Sequence, residues 1–182
     1  RLMGSMAWFE LFEHRCQEHR IDPKRVTLEV TESSSQGGKV LALEILSRLR
    51  LKGFLLSIDD FGTGFSSLET LYKLPFGELK IDKGFVFDLL KNAEARTLVE
   101  STIGLARKRG LKICAEGVES EELFHELRNL QCDDAQGYFI SRPIAASAIA
   151  PFFQQWEADN AARGNSAATR LKAIHGLLAE IL

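Results

Sequence analysis

The chain has 182 residues, 45% of them hydrophobic and 26% charged, with a formal net charge of -2. That balance describes one soluble globular domain with an ordinary core and excludes fibrous, collagenous and disordered chains. The Lys and Arg are scattered, which leaves no electrostatic footprint for nucleic acid, and no apolar run approaches the ~20 residues that cross a bilayer.

A cytoplasmic chain with no membrane insertion is therefore expected. Cys16, Cys114 and Cys132 form neither an even set nor a C-x-x-C pair, which argues against a disulfide or zinc framework. His14, His19, His125 and His175 all fall in helix-like segments and none at a strand end. A metal here must be held by oxygen ligands, which favours Mg²⁺ or Mn²⁺.

Residues 1–7 read as a tag or start-site remnant. Apolar residues at helical spacing (Trp8, Leu11, Phe12) predict a helix to Glu18, stopped by Ile21-Asp22-Pro23. Val26 to Val30 is a β-rich run, Val40 to Leu51 a helix closed by Lys52-Gly53, and Phe54 to Ile58 a strand apolar on both faces. A short helix from Ser66 to Lys73 leads to a third strand, Glu78 to Ile81. Asn92 to Arg109 is a long amphipathic helix ended by Gly110. Leu111 to Ala115 is a strand, Glu121 to Leu130 a helix, and Ala135 to Phe139 a fifth strand or strand exit.

Strand and helix alternating at this spacing predict an α/β fold: a parallel sheet with right-handed crossovers, either doubly wound or part of a (β/α)8 barrel. From residue 145 the alternation stops. Ala146 to Asn160 and Ala167 to Leu182 read as helices around the linker Arg163-Gly164-Asn165-Ser166. The apolar stripe Leu171, Ile174, Leu177, Leu178, Ile181 suits packing on the domain or on a second copy.

The strand ends carry the chemistry. Glu29 closes the first strand, Asp59 and Asp60 the second, Lys80 lies in the third, Glu116 follows the fourth and Gln136 occupies the fifth. In parallel α/β sheets the C-terminal strand ends share one face, and that face holds the active site. Asp59 as a helix cap with Asp60 in solvent is the alternative for that pair alone. Lys80, between Leu79 and Ile81, either snorkels outward or points into a carboxylate-lined interior, and the converging acids favour the interior.

Four carboxylates around one point suggest two divalent cations bridged by Asp59, an arrangement that activates water for hydrolysis of a phosphate ester. Lys80 would orient or help deprotonate that water, and Glu116 or Glu119 would ligate or act as base. Gly62 and Gly64 around Thr63 form a loop able to approach a ligand closely, and Glu32 could accept hydrogen bonds from it. Asp59-Asp60-Phe61-Gly62 contains the letters of the kinase magnesium motif, but no Gly-rich loop or H-R-D segment precedes it.

Glu29-Val30-Thr31-Glu32-Ser33, Ile58-Asp59-Asp60-Phe61-Gly62-Thr63-Gly64-Phe65-Ser66-Ser67-Leu68, Leu79-Lys80-Ile81-Asp82, Ala115-Glu116-Gly117-Val118-Glu119 and Gln136-Gly137-Tyr138-Phe139 with Ser141-Arg142-Pro143 resemble the EAL family of cyclic di-GMP phosphodiesterases. The resemblance covers residues 8–144 and leaves 145–182 as C-terminal helices. It implies a bacterial, cytoplasmic (β/α)8 barrel that hydrolyses cyclic di-GMP to pGpG with two Mg²⁺ or Mn²⁺ ions and is inhibited by Ca²⁺. It makes Glu29, Asp59, Asp60, Glu116 and Gln136 metal residues. Lys80, Glu116 and Glu119 become catalytic, while Glu32, Gly62, Thr63, Gly64, Ser66, Asp82, Arg142 and Pro143 become loop or substrate residues. A homodimer and an upstream sensory or regulatory domain are implied as partners.

The family's opening strand with its Glu-Ala-Leu tripeptide, its first-strand arginine and the asparagine of its next strand have no counterpart in these residues. A barrel of this kind needs ~250 residues and eight strands. The expectation is that further sequence precedes this stretch, or that it completes itself with a second copy. The alternative function is a catalytically impaired module that binds cyclic di-GMP or a partner protein.

Overall fold

The computed structural model describes residues 6–31, 39–62 and 68–162. Helix α1 (Met6–Glu18) begins two residues ahead of the predicted start, and a single 3-10 turn, Pro23–Arg25, capped by the Asp22 side chain, leads into β1 (Thr27–Thr31). Then follow α2 (Lys39–Leu51), β2 (Leu55–Phe61), α3 (Leu68–Lys73), β3 (Glu78–Ile81), α4 (Lys83–Asp88), α5 (Ala93–Lys108), β4 (Lys112–Ala115), α6 (Glu121–Asn129), β5 (Asp134–Ala135) and α7 (Ala146–Ala162). The strands lie in sequence order, β1-β2-β3-β4-β5, and the registered pairs β1–β2, β2–β3 and β4–β5 are parallel. The last predicted helix, the linker before it and its Leu171 to Ile181 stripe lie outside the described residues.

The chain divides into two compact units. One comprises the described residues up to Asp82 together with Gly104–Ile113; the other comprises Lys83–Ile103 and the described residues from Cys114 onward. In the first unit, Ile45, Leu46 and Leu49 of α2 and Leu56 and Ile58 of β2 are buried, with Leu79 and Ile81 of β3. Each such side chain contributes roughly 1.5–3 kcal/mol on leaving water. Phe54 joins this core to α1, because Phe12 packs against it at 5.3 Å and Trp8 stacks on Phe12 at 5.2 Å.

The second unit is built around Val86 of α4, Leu89 just after it, Val99 and Ile103 of α5, and Leu123 and Leu127 of α6. Helix α7 docks through aromatic rings: Trp156 meets Phe139 edge-on at 6.4 Å, and Phe139 meets Phe124 at 5.6 Å. Arg96 of α5 pairs with Glu126 of α6 and with Glu100.

Helix ends follow one device. After α1, α2, α5 and α6 the chain passes through a left-handed residue, namely Arg20, Gly53, Gly110 and Gln131. The next amide then reaches back to the helix, as Phe54 N–H does to Leu49 O and Leu111 N–H to Ala106 O. Glycine takes that geometry without strain, which is why two of the four ends are legible from sequence.

Three elements depart from the sequence reading. Helix α4 was not predicted. Glu29 is the middle residue of β1 rather than its last, because the strand runs on to Thr31, the register partner of Asp59. Strand β5 stops at Ala135, because Ile140 N–H and Ser141 N–H both return to Gly137 O and curl residues 137–141 into a turn. Gln136 and Tyr138-Phe139 therefore lie on the strand exit.

Candidate functional site

In the first unit the site is organised by an irregularity in β2. The β2–β3 register pairs Ser57 with Glu78, Ile58 with Leu79 and Phe61 with Ile81. Two residues, Asp59 and Asp60, thus stand opposite the single Lys80, which is a β-bulge. In a regular strand neighbouring side chains point to opposite faces. Here Asp60 adopts φ +56, and one carboxylate oxygen of Asp59 and one of Asp60 lie within 4.8 Å of each other. Asp tolerates this left-handed conformation better than most residues, and Gly62 at φ +101 continues the turn.

Lys80 completes the arrangement. It is 2% exposed, and its Nζ lies 2.8 Å from Glu29 Oε1 and 3.3 Å from Asp59 Oδ1. A buried ammonium is stable only when its charge is matched, and two acids from two different strands match it here. The lysine takes the interior alternative. Asp59 Oδ1 is buried and, among the described residues, accepts no hydrogen bond, the Lys80 ammonium standing 3.3 Å from it as an ion pair. With every donor here a carboxylate oxygen, the chemistry suits a hard divalent ion such as Mg²⁺ or Mn²⁺, and the residues present fit it. Asp82, just past β3, is half-buried, while Glu32, Thr63, Gly64 and Ser66 lie outside the described residues.

In the second unit Glu116 leaves β4 half-buried and Glu119 is exposed, three residues along the same loop. The strand exit after β5 clamps this loop. Gln136 N–H donates to Ala115 O, Val118 N–H to Gln136 O, and Phe139 N–H to Val118 O. Gly137 is indispensable to the clamp, because a Cβ there would stand 2.2 Å from Val118 O and 2.3 Å from Val118 N. Gly117, at φ +69, is similarly close to Lys83. Gln136 is half-buried, and Arg142 lies over the Tyr138 ring at 4.4 Å with Pro143 exposed beside it. Next to β5, burial pushes the Cys132 thiol up to about 12, and its Sγ donates to Asp134 O.

Two residues near the lysine escaped the sequence reading. Ser57 and Glu78 are buried on the face that carries Asp59 and Lys80. Their signal was the period of two along each strand, which places Ser57 with Asp59 and Glu78 with Lys80.

The family model described as EAL domain matches residues 2–143. The chain is 42% identical over 131 residues to "Bifunctional diguanylate cyclase/cyclic di-GMP phosphodiesterase MucR" of Pseudomonas aeruginosa, covering 72% of this chain and 19% of that protein. The chain thus spans about a fifth of the length of the first curated relatives it matches. Among solved structures it is similar to "PaMucR Phosphodiesterase, c-di-GMP complex", at 37% identity and a TM-score of 0.76, covering 81% of this chain and 60% of that one. It is also similar to Klebsiella pneumoniae BlrP1 in a manganese and cyclic di-GMP complex, at 28% identity and a TM-score of 0.72, covering 78% and 36%. The α/β fold, with its parallel strands in sequence order, is that of these barrel domains. On its sequence and on its fold, the chain belongs to the EAL domain family.

Proposed function

We propose that this chain carries the chemistry of a cytoplasmic bacterial phosphodiesterase that hydrolyses cyclic di-GMP to pGpG. The observation that carries the reading is Lys80, buried between Glu29 and Asp59 beside a bulge that turns two consecutive carboxylates together. Membership of the EAL family and the cyclic di-GMP held by the MucR and BlrP1 structures support it.

Glu29, Asp59, Asp60, Glu116 and Gln136 would hold two Mg²⁺ or Mn²⁺ ions, which when bound would supply an activated water and positive charge for the phosphoryl oxygens. Of these residues, Asp59, Asp60 and Glu116 each offer a carboxylate oxygen as ligand atom. Lys80 cannot wander, because Glu29 and Asp59 fix its ammonium, and in this reading that ammonium orients the attacking water. Glu116 or Glu119 accepts the water's proton. Asp82, Arg142 and Pro143, with Glu32, Gly62, Thr63, Gly64 and Ser66, are the loop or substrate residues of this reading.

Ca²⁺ sits in a larger and looser oxygen shell than Mg²⁺, so it supports binding and inhibits turnover. The EAL-type portion spans 8–144 and the C-terminal helices 145–182. A second copy of the chain and a sensory or regulatory domain are its partners, and no nucleic acid is. Among the described residues no helix is long and apolar enough to cross a membrane.

The test is to incubate the chain with cyclic di-GMP and Mg²⁺ or Mn²⁺ and follow pGpG, with Asp59→Asn beside it. Product from the parent and none from the variant supports the reading. Binding without product, unchanged in Asp59→Asn, selects a cyclic di-GMP-holding module instead. Equal rates in Ca²⁺ and Mg²⁺ would count against a metal-activated water.

A further inference from the structure

In a parallel sheet all strands start at one rim, and the helix before each strand ends beside that start. In the first unit this rim gathers basic residues that lie far apart in sequence. Lys24 and Arg25 precede β1, Arg50 and Lys52 precede β2, and Lys108 and Arg109 lead into Lys112, the first residue of β4. Printed side by side by the fold, they form a continuous row. Lys24 Cγ stands 3.6 Å from where a Cβ of Gly53 would lie, the Arg50 guanidinium 3.7 Å from that of Gly77, and Lys112 N–H donates to Gly77 O. All of these side chains are exposed.

The neighbouring acids are already engaged: Glu13 pairs with Lys52, Glu44 with Arg48, and Asp22 caps the turn before β1. Among the described residues Lys24, Arg25, Arg50, Lys108 and Lys112 enter no ion pair. The helix dipole accounts for Arg50 and Lys108, at the ends of α2 and α5, but not for Lys24 and Arg25 on a three-residue turn or Lys112 on a strand. Large apolar side chains stand in the same row. Leu51 is 86% exposed, Ile21 42%, and Tyr72 59% with Arg109 over its ring at 4.2 Å.

Cations interleaved with bare apolar tips match an anionic bilayer surface, which offers phosphate and carboxylate headgroups above an acyl boundary. A soluble polyanion would satisfy the cations and leave Leu51 in water. We infer that this rim docks on an anionic membrane surface, with Leu51 and Tyr72 entering the acyl boundary and no element crossing it. Asp59 and Asp60, towards the other end of β2, then face away from the negative surface that would repel them. The inference stands on the first unit alone and does not depend on the phosphodiesterase reading.

The test is to sediment the full chain with vesicles of phosphatidylcholine alone and of phosphatidylcholine mixed with phosphatidylserine. Binding to the mixed vesicles only, declining as salt rises, is expected. Arg50→Gln combined with Lys112→Gln should weaken it roughly 25-fold, about fivefold for each cation. Leu51→Ser should weaken it about tenfold, as the exposed leucine no longer leaves water. These positions are on the surface, so the variants should keep the parent's thermal midpoint, which is measured alongside.

No binding to either vesicle, or equal binding to both, overturns the inference. So does a Leu51→Ser chain that binds as the parent does while heparin displaces both, which would make a soluble polyanion the partner of the cations.

Discussion

Lys80 Nζ and Glu29 Oε1 are 2.8 Å apart although the strands carrying them are not neighbours, since β2 lies between β1 and β3. The lysine side chain therefore crosses a whole strand, and three strands are tied by one ammonium. Lys80→Met strands two carboxylates without their cation, and we expect a loss of about 3 kcal/mol in urea unfolding. Added Mn²⁺ should return a large part of it, since a ligand at 100 times its dissociation constant contributes about 2.7 kcal/mol. An unchanged midpoint would show that the ion pair contributes nothing to the fold.

Asp60 has two separable duties, backbone and carboxylate. Asparagine tolerates the left-handed region nearly as well as aspartate, so Asp60→Asn is expected to unfold within about 0.5 kcal/mol of the parent. Its Mn²⁺ affinity should still fall at least tenfold. Asp60→Val, β-branched at φ +56, should cost about 2 kcal/mol. Equal stabilities for the two variants would mean that the bulge relaxes freely.

Two glycines make a matched pair. Gly137→Ala forces a Cβ into the Val118 backbone and should lower stability by about 2 kcal/mol or more, with the residue 116–119 loop displaced. Gly104→Ala meets nothing within 4 Å inside α5 and should raise stability by about 0.5–1 kcal/mol. Chemical unfolding of both variants checks the contrast. A neutral Gly137→Ala would remove the clamp from the account of Glu116 and Glu119.

Cys132 sets an alkaline limit. Its unfolded thiol ionises near the ordinary 9.0, whereas burial holds the folded thiol neutral up to about 12. Above pH 9 the folded state binds more protons than the unfolded one, so this group's contribution is complete below pH 9 and declines as pH rises towards 12. The parent should lose about 1–2 kcal/mol more than Cys132→Ala between about pH 8 and about pH 10.5. Parallel pH profiles for the two chains would contradict the shift.

What could be read beforehand was whatever apolar pattern dictates. The runs at Leu56 to Ile58 and Leu79 to Ile81, with helices between them, predicted the parallel sheet. Lys80 flanked by Leu79 and Ile81 pointed to an inward lysine. Helix α4 is six residues long with a glycine second, too short for periodicity to register. Residues 135–139 read as a fifth strand or a strand exit, and the backbone takes the exit, turning where Gly137 lies flush against Val118. The bulge was silent because its left-handed residue is aspartate rather than glycine, and the buried place of Ser57 emerges only once register is known. The roles of Glu32, Thr63, Gly64 and Ser66 rest on sequence alone.

Between Ile58 and Phe61, β2 holds one residue more than the facing stretch of β3, and Asp60 is the one in the left-handed conformation. Were its codon lost, Ile58, Asp59 and Phe61 would face Leu79, Lys80 and Ile81 one for one, with no other side chain of the strand turned over. A lineage can therefore shed an acid from this centre by a single in-frame deletion and inherit a straighter sheet in exchange. Silent descendants of such a protein should keep the barrel and miss that aspartate.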